Sequence, residues 1–583
     1  MPSRRARLAI AAAISLSALV ACTPRAGQPA AAPSNSAPSA GAAAAGRPNI
    51  VFVLTDDLST NLVPYMPNVR ALQRDGTTFS NFTVTNSLCC PSRASLLTGR
   101  FPHNTGIIKN HGKNGGFRLF HARGEEKSTF ATDAQAAGYR TAFLGKYLNE
   151  YQPGHKLGTG RPYVPPGWDE WYAGGDAYRN FNYALNENHR VVRYGDKPAD
   201  YLTDVIAAKA RDFITVSAAA GAPFLVELSA YAPHSPFTPA PRDAASFPGL
   251  TAPRGPAFDK IPTAAPAWLA GHAPLTARKK TAIDVAFRKR VQAVQAVDRM
   301  IGTLRETLEK SGVADRTIVI FNSDNGFHLG EHRLSEGKQT AFDTDITVPL
   351  VVAGPGVRAG QVVTGMVQNI DLRPTFAELT GAPAAADIDG RSIVPLLAGA
   401  TAAGPALTDP ALAGPAVSGS APAGSASAGP AVPGSAPAGP TVSGSAPAGS
   451  APAGPVVSGP VVSGPALAGS APASSAPADP ALAGWRELAL VEHLDSTNDP
   501  ADPDFGEVHA DLPPTYQALR ATGYKYVEYV DGSREYYDLV RDPNELHNTV
   551  ATLPKARLAA LHAALRSMTA CRGQTCWTAS WTS

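Results

Sequence analysis

The chain has 583 residues, of which 44% are hydrophobic and 17% are charged, so it can bury a large core and form more than one domain. The formal net charge is only +3, and acidic and basic residues are interspersed. This balance excludes the broad basic field of a nucleic-acid-binding protein, so we expect no nucleic-acid partner and only local binding of anions.

The first 22 residues have the pattern of an export signal. Three arginines precede an apolar run from Leu8 to Val20, which is too short to span a bilayer. The run leads into Leu-Val-Ala-Cys, which resembles a bacterial lipoprotein processing site and predicts cleavage before Cys22 and acylation of this cysteine. We therefore expect an exported protein that a lipid anchor holds at the outer face of the cell membrane; ordinary secretion is the alternative. Residues 23–46, rich in Ala, Pro, Ser and Gly, are predicted to be a flexible tether.

Residues 47–400 alternate short apolar runs with segments of helical periodicity. The predicted strands are Asn49–Leu54, Arg140–Leu144, Phe224–Leu228, Thr317–Asn322 and Leu350–Ala353. The predicted helices are Ser92–Thr98, Thr129–Ala137, Tyr201–Thr215 and Phe287–Lys310. Strands that alternate with helices favour an α/β sandwich around a large, mostly parallel central sheet.

Acidic and amide side chains follow two of these strands. Asp56 and Asp57 come after the first strand, and Asp324 and Asn325 come after the fourth. Because ligands of open α/β sheets gather at the carboxyl ends of strands, we expect these side chains to meet. Their oxygens favour a hard cation such as Ca²⁺, with Mg²⁺ as the alternative. A helix cap or turn would explain the Asp56-Asp57 pair taken alone.

A Cys-Cys-Pro-Ser-Arg sequence at residues 89–93, followed by Thr-Gly-Arg at 98–100, places a sulfur at a predicted helix start. The proline suits the first helical turn, where unpaired backbone N–H groups favour anionic ligands, and Arg93 adds a fixed cation. A buried, apolar pair formed by Cys89 and Cys90 is the alternative.

Residues 401–484 repeat short motifs of Ala, Pro, Gly and Ser, without an aromatic residue and with only Asp409 and Asp479 charged. Such a segment cannot form a packed core, and it is predicted to be a disordered insertion. A spacer or a glycan-bearing segment at the cell surface is the alternative.

Residues 485–583 are predicted to form a smaller C-terminal subdomain with an antiparallel sheet packed on the main domain. Its predicted elements are a strand at Leu488–Glu492, a hairpin of Tyr524–Val530 with Glu535–Leu539, and a helix at Pro554–Met568. Cys571 and Cys576 close a short loop, for which we expect a disulfide in an exported chain. No second Cys/His pair lies nearby at the spacing of a zinc site.

The segment that begins at Cys89 resembles the sulfatase pattern Cys-x-Pro-Ser-Arg followed by Thr-Gly-Arg. In that family the first cysteine is oxidised to Cα-formylglycine, so the resemblance assigns this modification to Cys89 and implies a maturation enzyme as a partner. It also implies an alkaline-phosphatase-like sandwich. The metal ligands implied are Asp56, Asp57, Asp324, Asn325 and the modified Cys89.

Further motifs match the same family. Lys146, in Gly-Lys-Tyr-Leu-Asn, and Lys338, in Glu-Gly-Lys, resemble lysines that contact the sulfate. His234, in Ala-Pro-His-Ser-Pro, resembles the histidine near the leaving-group oxygen. Taken alone, each lysine would be a solvated surface charge and the histidine a structural residue. His332 is a candidate for substrate contact or for support of the metal loop, as is the neighbouring His328.

One position departs from the family pattern. Many sulfatases have a histidine two places after the lysine matched by Lys146, whereas this chain has Leu148 followed by Asn149, which becomes a second candidate for substrate contact. The chain resembles N-acetylglucosamine-6-sulfatases in this departure, in its Ser-Asp-Asn-Gly motif and in its terminal cysteine pair. This resemblance covers 48–400 and resumes from 485 to the terminal cysteine pair.

The resemblance implies hydrolysis of a sulfate ester, with the 6-O-sulfate of N-acetylglucosamine or a related sulfated glycan as substrate. One hydroxyl of the hydrated formylglycine attacks sulfur, His234 gives a proton to the leaving alcohol, and the second hydroxyl expels sulfate. Arg93, Lys146 and Lys338 offset the charge on the transferring group. The alternatives are a phosphate or phosphonate ester hydrolase of the same fold, and a non-catalytic surface lipoprotein that binds glycan.

Overall fold

The structure is a computed structural model that describes residues 46–383, 385–398, 482, 484–495 and 512–581. The predicted export signal, and nearly all of the predicted tether and insertion, lie outside the described residues. Among the described residues, no helix combines the length and the apolar character needed to cross a membrane.

The strands belong to one large sheet, two small two-stranded pairs and a separate C-terminal sheet. In chain order they are β1 (Asn49–Thr55), β2 (Gly76–Phe79), β3 (Phe82–Thr83), β4 (Arg140–Lys146), β5 (Glu170–Gly174), β6 (Ala184–Glu187), β7 (Arg190–Arg193), β8 (Phe224–Ser229), β9 (Thr317–Ser323), β10 (His328–Leu329), β11 (Glu336–Gly337), β12 (Leu350–Ala353), β13 (Gln361–Val363), β14 (Val367–Gln368), β15 (Leu488–His493), β16 (Tyr516–Ala521), β17 (Tyr524–Tyr529) and β18 (Arg534–Asp538).

The large sheet has ten strands in the order β13-β2-β12-β9-β1-β8-β4-β5-β6-β7. The strands β9, β1, β8, β4 and β5 run parallel at its centre. Strand β12 is antiparallel to both of its neighbours, and β6 and β7 form an antiparallel edge. The sheet is therefore mixed with a parallel centre, which agrees with the large, mostly parallel sheet that we expected.

The helices cover both faces of this sheet and one face of the C-terminal sheet. The α-helices are α1 (Pro67–Asp75), α2 (Cys89–Thr98), α3 (Pro102–Thr105), α4 (Gly116–Ala122), α5 (Phe130–Ala136), α6 (Leu202–Ala219), α7 (Ala267–Ala270), α8 (Ala277–Lys310), α9 (Asp343–Ile346), α10 (Leu372–Thr380), α11 (Val394–Leu397), α12 (Lys555–Ala570) and α13 (Gln574–Ala579). Short 3₁₀ helices are Thr60–Tyr65, Gly112–Asn114, Glu125–Lys127, Pro198–Asp200, Pro241–Asp243, Ala314–Arg316, Asn369–Asp371 and Val550–Thr552.

Strand β1 shows how the sheet is buried on both faces. Val51 and Val53 lie in one apolar cluster with side chains of α6 and α8. Ile50 and Phe52 lie in a second cluster with side chains of α5 and α10. A strand buried on both faces needs an unbroken apolar run, which is the pattern that predicted this strand from the sequence.

The C-terminal sheet is antiparallel, in the order β15-β16-β17-β18. Helix α12 packs on it through Leu561, Leu565 and Met568. The expected disulfide between Cys571 and Cys576 is present and connects the end of α12 to α13.

Two helices begin well before their predicted starts, and α6 continues four residues beyond its predicted end, to Ala219. Helix α2 begins at Cys89, three residues before the predicted start, so this cysteine lies within the first turn. Helix α8 begins at Ala277, ten residues before the predicted start, because Ile283 continues its buried face and the Thr276 side chain accepts a hydrogen bond from the Lys279 N–H at its N-terminus.

Candidate active site

The ends of β1 and β9 bring the two acidic segments together. The parallel register pairs Thr55 with Ser323, so the residues that follow each strand lie side by side. The backbone N–H of Asp57 donates to Asp324 Oδ1 at 3.0 Å, and Asn325 Nδ2 donates to Asp57 Oδ1 at 2.6 Å. The expected meeting of these side chains at one edge of the sheet is therefore confirmed.

Cys89 faces this acidic edge from the first turn of α2. Its Sγ lies 3.2 Å from Asp56 Oδ1 and 3.9 Å from Asp57 Oδ1, and Lys338 Nζ donates to it at 2.9 Å. Cys89 is completely buried. Burial, and then the Asp56 charge, raise the pKa of the thiol well above its ordinary value although the nearby lysines oppose this. An unmodified Cys89 is therefore a neutral thiol and a poor nucleophile.

Each carboxylate around Cys89 is paired with its own cation. The pairs are Lys146 Nζ with Asp56 Oδ2 at 2.6 Å, Arg93 Nε with Asp324 Oδ2 at 2.9 Å, and Lys338 Nζ with Asp57 Oδ1 at 2.7 Å. The three cations are only 3% exposed, and the carboxylates are 0–1% exposed. Arg93 Nη2 also lies 3.8 Å from Asp56 Oδ1, so the pairs are connected. Because a buried charge without a partner is costly, this pairing allows so many charges to share one site.

The electrostatic environment differs between the two strand ends. Burial would raise the pKa of Asp56, but Lys146 and His234 hold it well below its usual range. For Asp324, burial dominates over the opposing effect of Arg93 and raises the pKa to about 6. Strongly shifted carboxylates of this kind are typical of functional sites.

Arg93 is oriented by two strands in addition to Asp324. Its Nη1 donates to the Lys146 carbonyl oxygen at 2.9 Å and also to Ser229 Oγ. Glu227, buried in the same strand as Ser229, has its pKa raised to about 8 by burial, although Arg93 opposes this. Sequence reasoning missed Ser229 and Glu227. A lone acid within the apolar β8 run is the signal that could have identified Glu227.

His234 and Lys146 share an aromatic neighbour. His234 Nε2 lies 3.6 Å from Asp57 Oδ2, and its ring centroid is 4.5 Å from that of Tyr178. Lys146 Nζ lies 4.9 Å from the centroid of the same ring. Tyr178 was missed because it belongs to a loop after β5 and carries no motif; only the fold brings it to the site.

The site fits a metal ion. Ligand atoms of Asp56, Asp57, Cys89 and His234 all lie within 4.8 Å of one another, and the four residues are buried. Asp57 Oδ2 and Asn325 Oδ1 are buried without a hydrogen-bond partner among the described residues. Such oxygen atoms are suited to a hard divalent cation, which would satisfy them.

His332 and Asn149, the two candidates for substrate contact, are buried. Neither side chain hydrogen-bonds or ion-pairs with the cluster around Cys89 in the described part of the chain. The His332 ring stacks on Phe342 at 3.7 Å, and burial, followed by the charge of Lys525, lowers its pKa to about 3. Asn149 is 5% exposed, and both polar atoms of its amide lack a partner among the described residues. His328 Nδ1 lies 3.0 Å from both carboxylate oxygens of Asp345.

Sequence comparison places the chain among known enzymes. The Sulfatase family model matches residues 48–382, more than half of the chain. Human N-acetylglucosamine-6-sulfatase is 37% identical over 368 residues, which cover 62% of this chain and 66% of that protein. An extracellular sulfatase SULF-1 homolog of Drosophila melanogaster is 36% identical over 358 residues, covering 60% of this chain and 31% of that protein. The chain thus spans less than two thirds of the length of these relatives.

Structural comparison supports the same assignment of the fold. A protein solved in complex with its substrate D-glucosamine-2-N,6-O-disulfate has a TM-score of 0.61 and 21% identity, covering 92% of this chain and 99% of that chain. At this identity the likeness concerns the fold, and it confirms the expected alkaline-phosphatase-like sandwich with a small C-terminal antiparallel sheet. With the motif at Cys89 and the match over residues 48–382, the chain belongs to the sulfatase family.

Proposed function

We propose that the protein hydrolyses the 6-O-sulfate ester of N-acetylglucosamine, or of a related sulfated glycan, after oxidation of Cys89 to formylglycine. The observation that carries this proposal is the position of Cys89, within 3.2 Å of Asp56 and 2.9 Å of Lys338 at the edge of the sheet. The N-acetylglucosamine-6-sulfatase relative and the structural neighbour bound to a sulfated glucosamine support a sulfated sugar as the substrate.

We infer that a divalent cation completes the site, with Ca²⁺ as the first candidate and Mg²⁺ as the second. Asp56, Asp57, Asp324 and Asn325 would hold it together with the modified Cys89 side chain. When bound, it would polarise the sulfate oxygens and favour ionisation of the aldehyde hydrate. Asp57 Oδ2 and Asn325 Oδ1, which are buried without a hydrogen bond among the described residues, support this ligand set.

Arg93, Lys146 and Lys338 would bind the sulfate and offset its charge during transfer. They are buried and each is already held by a carboxylate, so little reorganisation is needed when the substrate arrives. The hydrated formylglycine supplies one hydroxyl that can attack sulfur and a second that can expel sulfate, so the ester bond to the enzyme need not be hydrolysed by water.

His234 would donate a proton to the sugar oxygen as it leaves. Its Nε2 faces the acidic edge, 3.6 Å from Asp57, and its Nδ1 lies 2.8 Å from the Ser235 carbonyl oxygen, which orients the ring. Leu148 is buried in the apolar core, so the proton released when sulfate leaves has to be accepted by another group.

We propose Asn149 and His332 as contacts for the sugar. The support for Asn149 is its buried amide without a partner among the described residues, since such a group costs free energy until a ligand satisfies it. His332 Nδ1 is also buried without a described partner.

We further propose that residues 1–22 direct export, that Cys22 carries the lipid anchor and that residues 23–46 act as a tether to the catalytic domain. In this organisation residues 47–400 form the catalytic domain, 401–484 a disordered insertion and 485–583 the C-terminal subdomain. The fly relative described as extracellular supports export. A formylglycine-generating enzyme is then a required partner.

Sulfate release from N-acetylglucosamine-6-sulfate, compared with glucosamine esters sulfated at other positions, tests the proposed substrate. We expect preference for the 6-sulfate, a loss of more than about a thousandfold in Cys89→Ala, and little change in the matched control Cys90→Ala. Faster turnover of an aryl phosphate than of an aryl sulfate would favour the phosphate or phosphonate ester alternative. Glycan binding that survives Cys89→Ala, without sulfate release from any ester, would favour the non-catalytic lipoprotein.

A further inference from the structure

The backbone that follows Lys338 is held by the C-terminal sheet. Gln339 has φ +77°, a left-handed conformation that is costly for a residue with a side chain. Tyr516 Oη, at the start of β16, donates to the Gln339 carbonyl oxygen at 3.1 Å. Lys525 Nζ, in β17, donates to the Ala341 carbonyl oxygen at 2.5 Å. Two of the three carbonyls after Lys338 are therefore fixed by side chains distant in sequence.

The carbonyl between them is fixed from the other side. Ser87 Oγ, two residues before Cys89, donates to the Thr340 carbonyl oxygen at 3.0 Å. The Thr340 N–H and hydroxyl both donate to Asp345 Oδ2, at 3.0 and 2.6 Å. The segment that carries Lys338 is thus clamped between the start of the Cys89 helix and the C-terminal sheet.

The C-terminal donors are themselves rigid. Lys525 Nζ pairs with Asp343 Oδ1 at 2.9 Å and also with Glu545, and Arg520 Nη2 pairs with Asp343 Oδ2 at 2.9 Å. Lys525 is fully buried and Arg520 is 5% exposed. A buried ammonium held by two carboxylates cannot move without leaving charges unpaired, so it is a fixed reference point for the Ala341 carbonyl.

We propose that Tyr516 and Lys525 are positioning residues, which hold Lys338 against Cys89 through the backbone of residues 339–341. This inference rests on the proposed function of Lys338 at the transferring sulfuryl group. The C-terminal sheet thereby contributes to catalysis by supporting the one cation of the site that lies on a loop, since Lys146 ends a central strand and Arg93 belongs to a helix.

Tyr516→Phe is the sharpest test because it removes one hydroxyl and keeps the buried ring. Lys525→Met would leave Asp343 and Glu545 uncompensated and could prevent folding. We expect Tyr516→Phe to lower kcat on an aryl sulfate about tenfold, the effect of one hydrogen bond, with a small change in KM. The matched control Tyr526→Phe removes a hydroxyl from β17 that bonds to Glu528 instead, and kcat should stay within about twofold.

Tyr516→Phe in a Lys338→Ala background distinguishes an effect on the position of Lys338 from a loss of activity that does not involve Lys338. There Tyr516→Phe should change kcat by less than about twofold, because the residue it positions is already absent. Equal losses in both backgrounds, or no loss in the otherwise unchanged protein, would overturn the proposal.

A crystal structure of Tyr516→Phe decides the question independently of activity. We expect Lys338 Nζ to be displaced from the side chain at position 89, relative to its position in the protein that keeps Tyr516; in the unmodified chain Nζ lies 2.9 Å from Cys89 Sγ. An unchanged position would overturn the positioning role. If Lys338 moves but Lys338→Ala keeps full kcat, the proposed catalytic function of Lys338 fails while the positioning contact stands.

Discussion

The pairing of the buried cations with the buried carboxylates explains how Cys89 can lie in a charged yet fully buried site. Lys146 pairs with Asp56, Lys338 pairs with Asp57, and Arg93 pairs with Asp324 and, at 3.8 Å, with Asp56, so each of these charges has a partner of opposite sign. In the function that we propose, an entering sulfate meets donors that the protein has already oriented, and this arrangement lowers the reorganisation cost of charge transfer.

The proposed proton donation by His234 predicts a dependence on the leaving group. An alkoxide is a poor leaving group and needs the proton, whereas a nitrophenolate leaves without one. We expect His234→Ala to lower kcat on a sugar 6-sulfate by at least about a hundredfold, and on nitrophenyl sulfate by less than about tenfold. Equal losses on the two substrates would contradict this function for His234.

The buried carboxyl of Glu227 predicts a pH dependence of stability. Its pKa is raised from 4.5 to about 8, mainly by burial, so the folded protein favours the protonated form. The contribution of the protonated Glu227 carboxyl to the stability of the fold is fully present below the ordinary pKa of a glutamate, and it is lost as the pH rises through about 8.

Glu227→Gln removes this titration and keeps the shape of the side chain. At alkaline pH we expect its melting temperature to exceed that of the unchanged protein by about 5 °C, with a smaller difference at neutral pH. Glu309→Gln, at an exposed position of α8, is the control and should show no such trend. A constant difference across this pH range, measured by calorimetry, would contradict a buried, protonated Glu227.

Elements with an apolar run or a hairpin pattern could be predicted from the sequence, and elements with neither pattern could not. Strands β1 and β9 contain unbroken apolar runs, and the apolar run of β8 is interrupted only by Glu227. Each prediction coincides with a central strand within one residue. Strand β7 has mostly exposed residues and β16 mixes Gln and Arg with Ala and Leu, so neither shows an apolar run. Their pairing is a tertiary effect that no local pattern encodes.

The same distinction applies to the candidate site. Asp56, Asp324 and Cys89 stand in short motifs next to recognisable element ends, so their meeting could be predicted. Tyr178 and Ser229 contact the site only through packing of distant segments, and nothing in their local sequence indicates this. The antiparallel direction of β12 could not be predicted from the sequence either, because it depends on how the strand is connected to its neighbours.

The close approach of β4 and β8 predicts that Gly145 cannot be replaced. Its φ is +110°, and a Cβ at this position would lie 2.0 Å from the Ser229 carbonyl oxygen. We expect Gly145→Ala to lower the free energy of unfolding by more than about 2 kcal/mol and to displace Lys146, the next residue, with loss of activity.

Gly154→Ala is the control for this substitution, because a Cβ there would meet nothing within 4 Å. Its unfolding free energy, measured by denaturant titration, should change by less than about 0.5 kcal/mol. A Gly145→Ala variant as stable and active as this control would show that the two strands can separate without consequence.

The described part of the chain combines a large sheet, whose strand ends carry the candidate site, with a second sheet that contacts one of its loops. Contacts of Tyr516 and Lys525 with residues 339–341 connect the two. Fold assignment alone would not reveal this connection, because it depends on particular side chains and not on architecture.

The composition of residues 401–480 predicts that they contribute neither to the core nor to catalysis. Replacing them with a Gly/Ser linker should leave kcat within about twofold and the melting temperature within about 2 °C, since the cost of loop closure depends weakly on length. Sulfate release and calorimetry on the shortened chain check this. A large loss of stability or activity would assign the segment a structural function.

The oxidation state of position 89 tests the central claim most directly. Mass spectrometry of the peptide that contains residues 89–93, taken from active protein expressed in its own host, should show an aldehyde or its hydrate in place of the Cys89 thiol, with Cys90 unchanged. An intact thiol at position 89 in protein that releases sulfate at full rate would contradict the account.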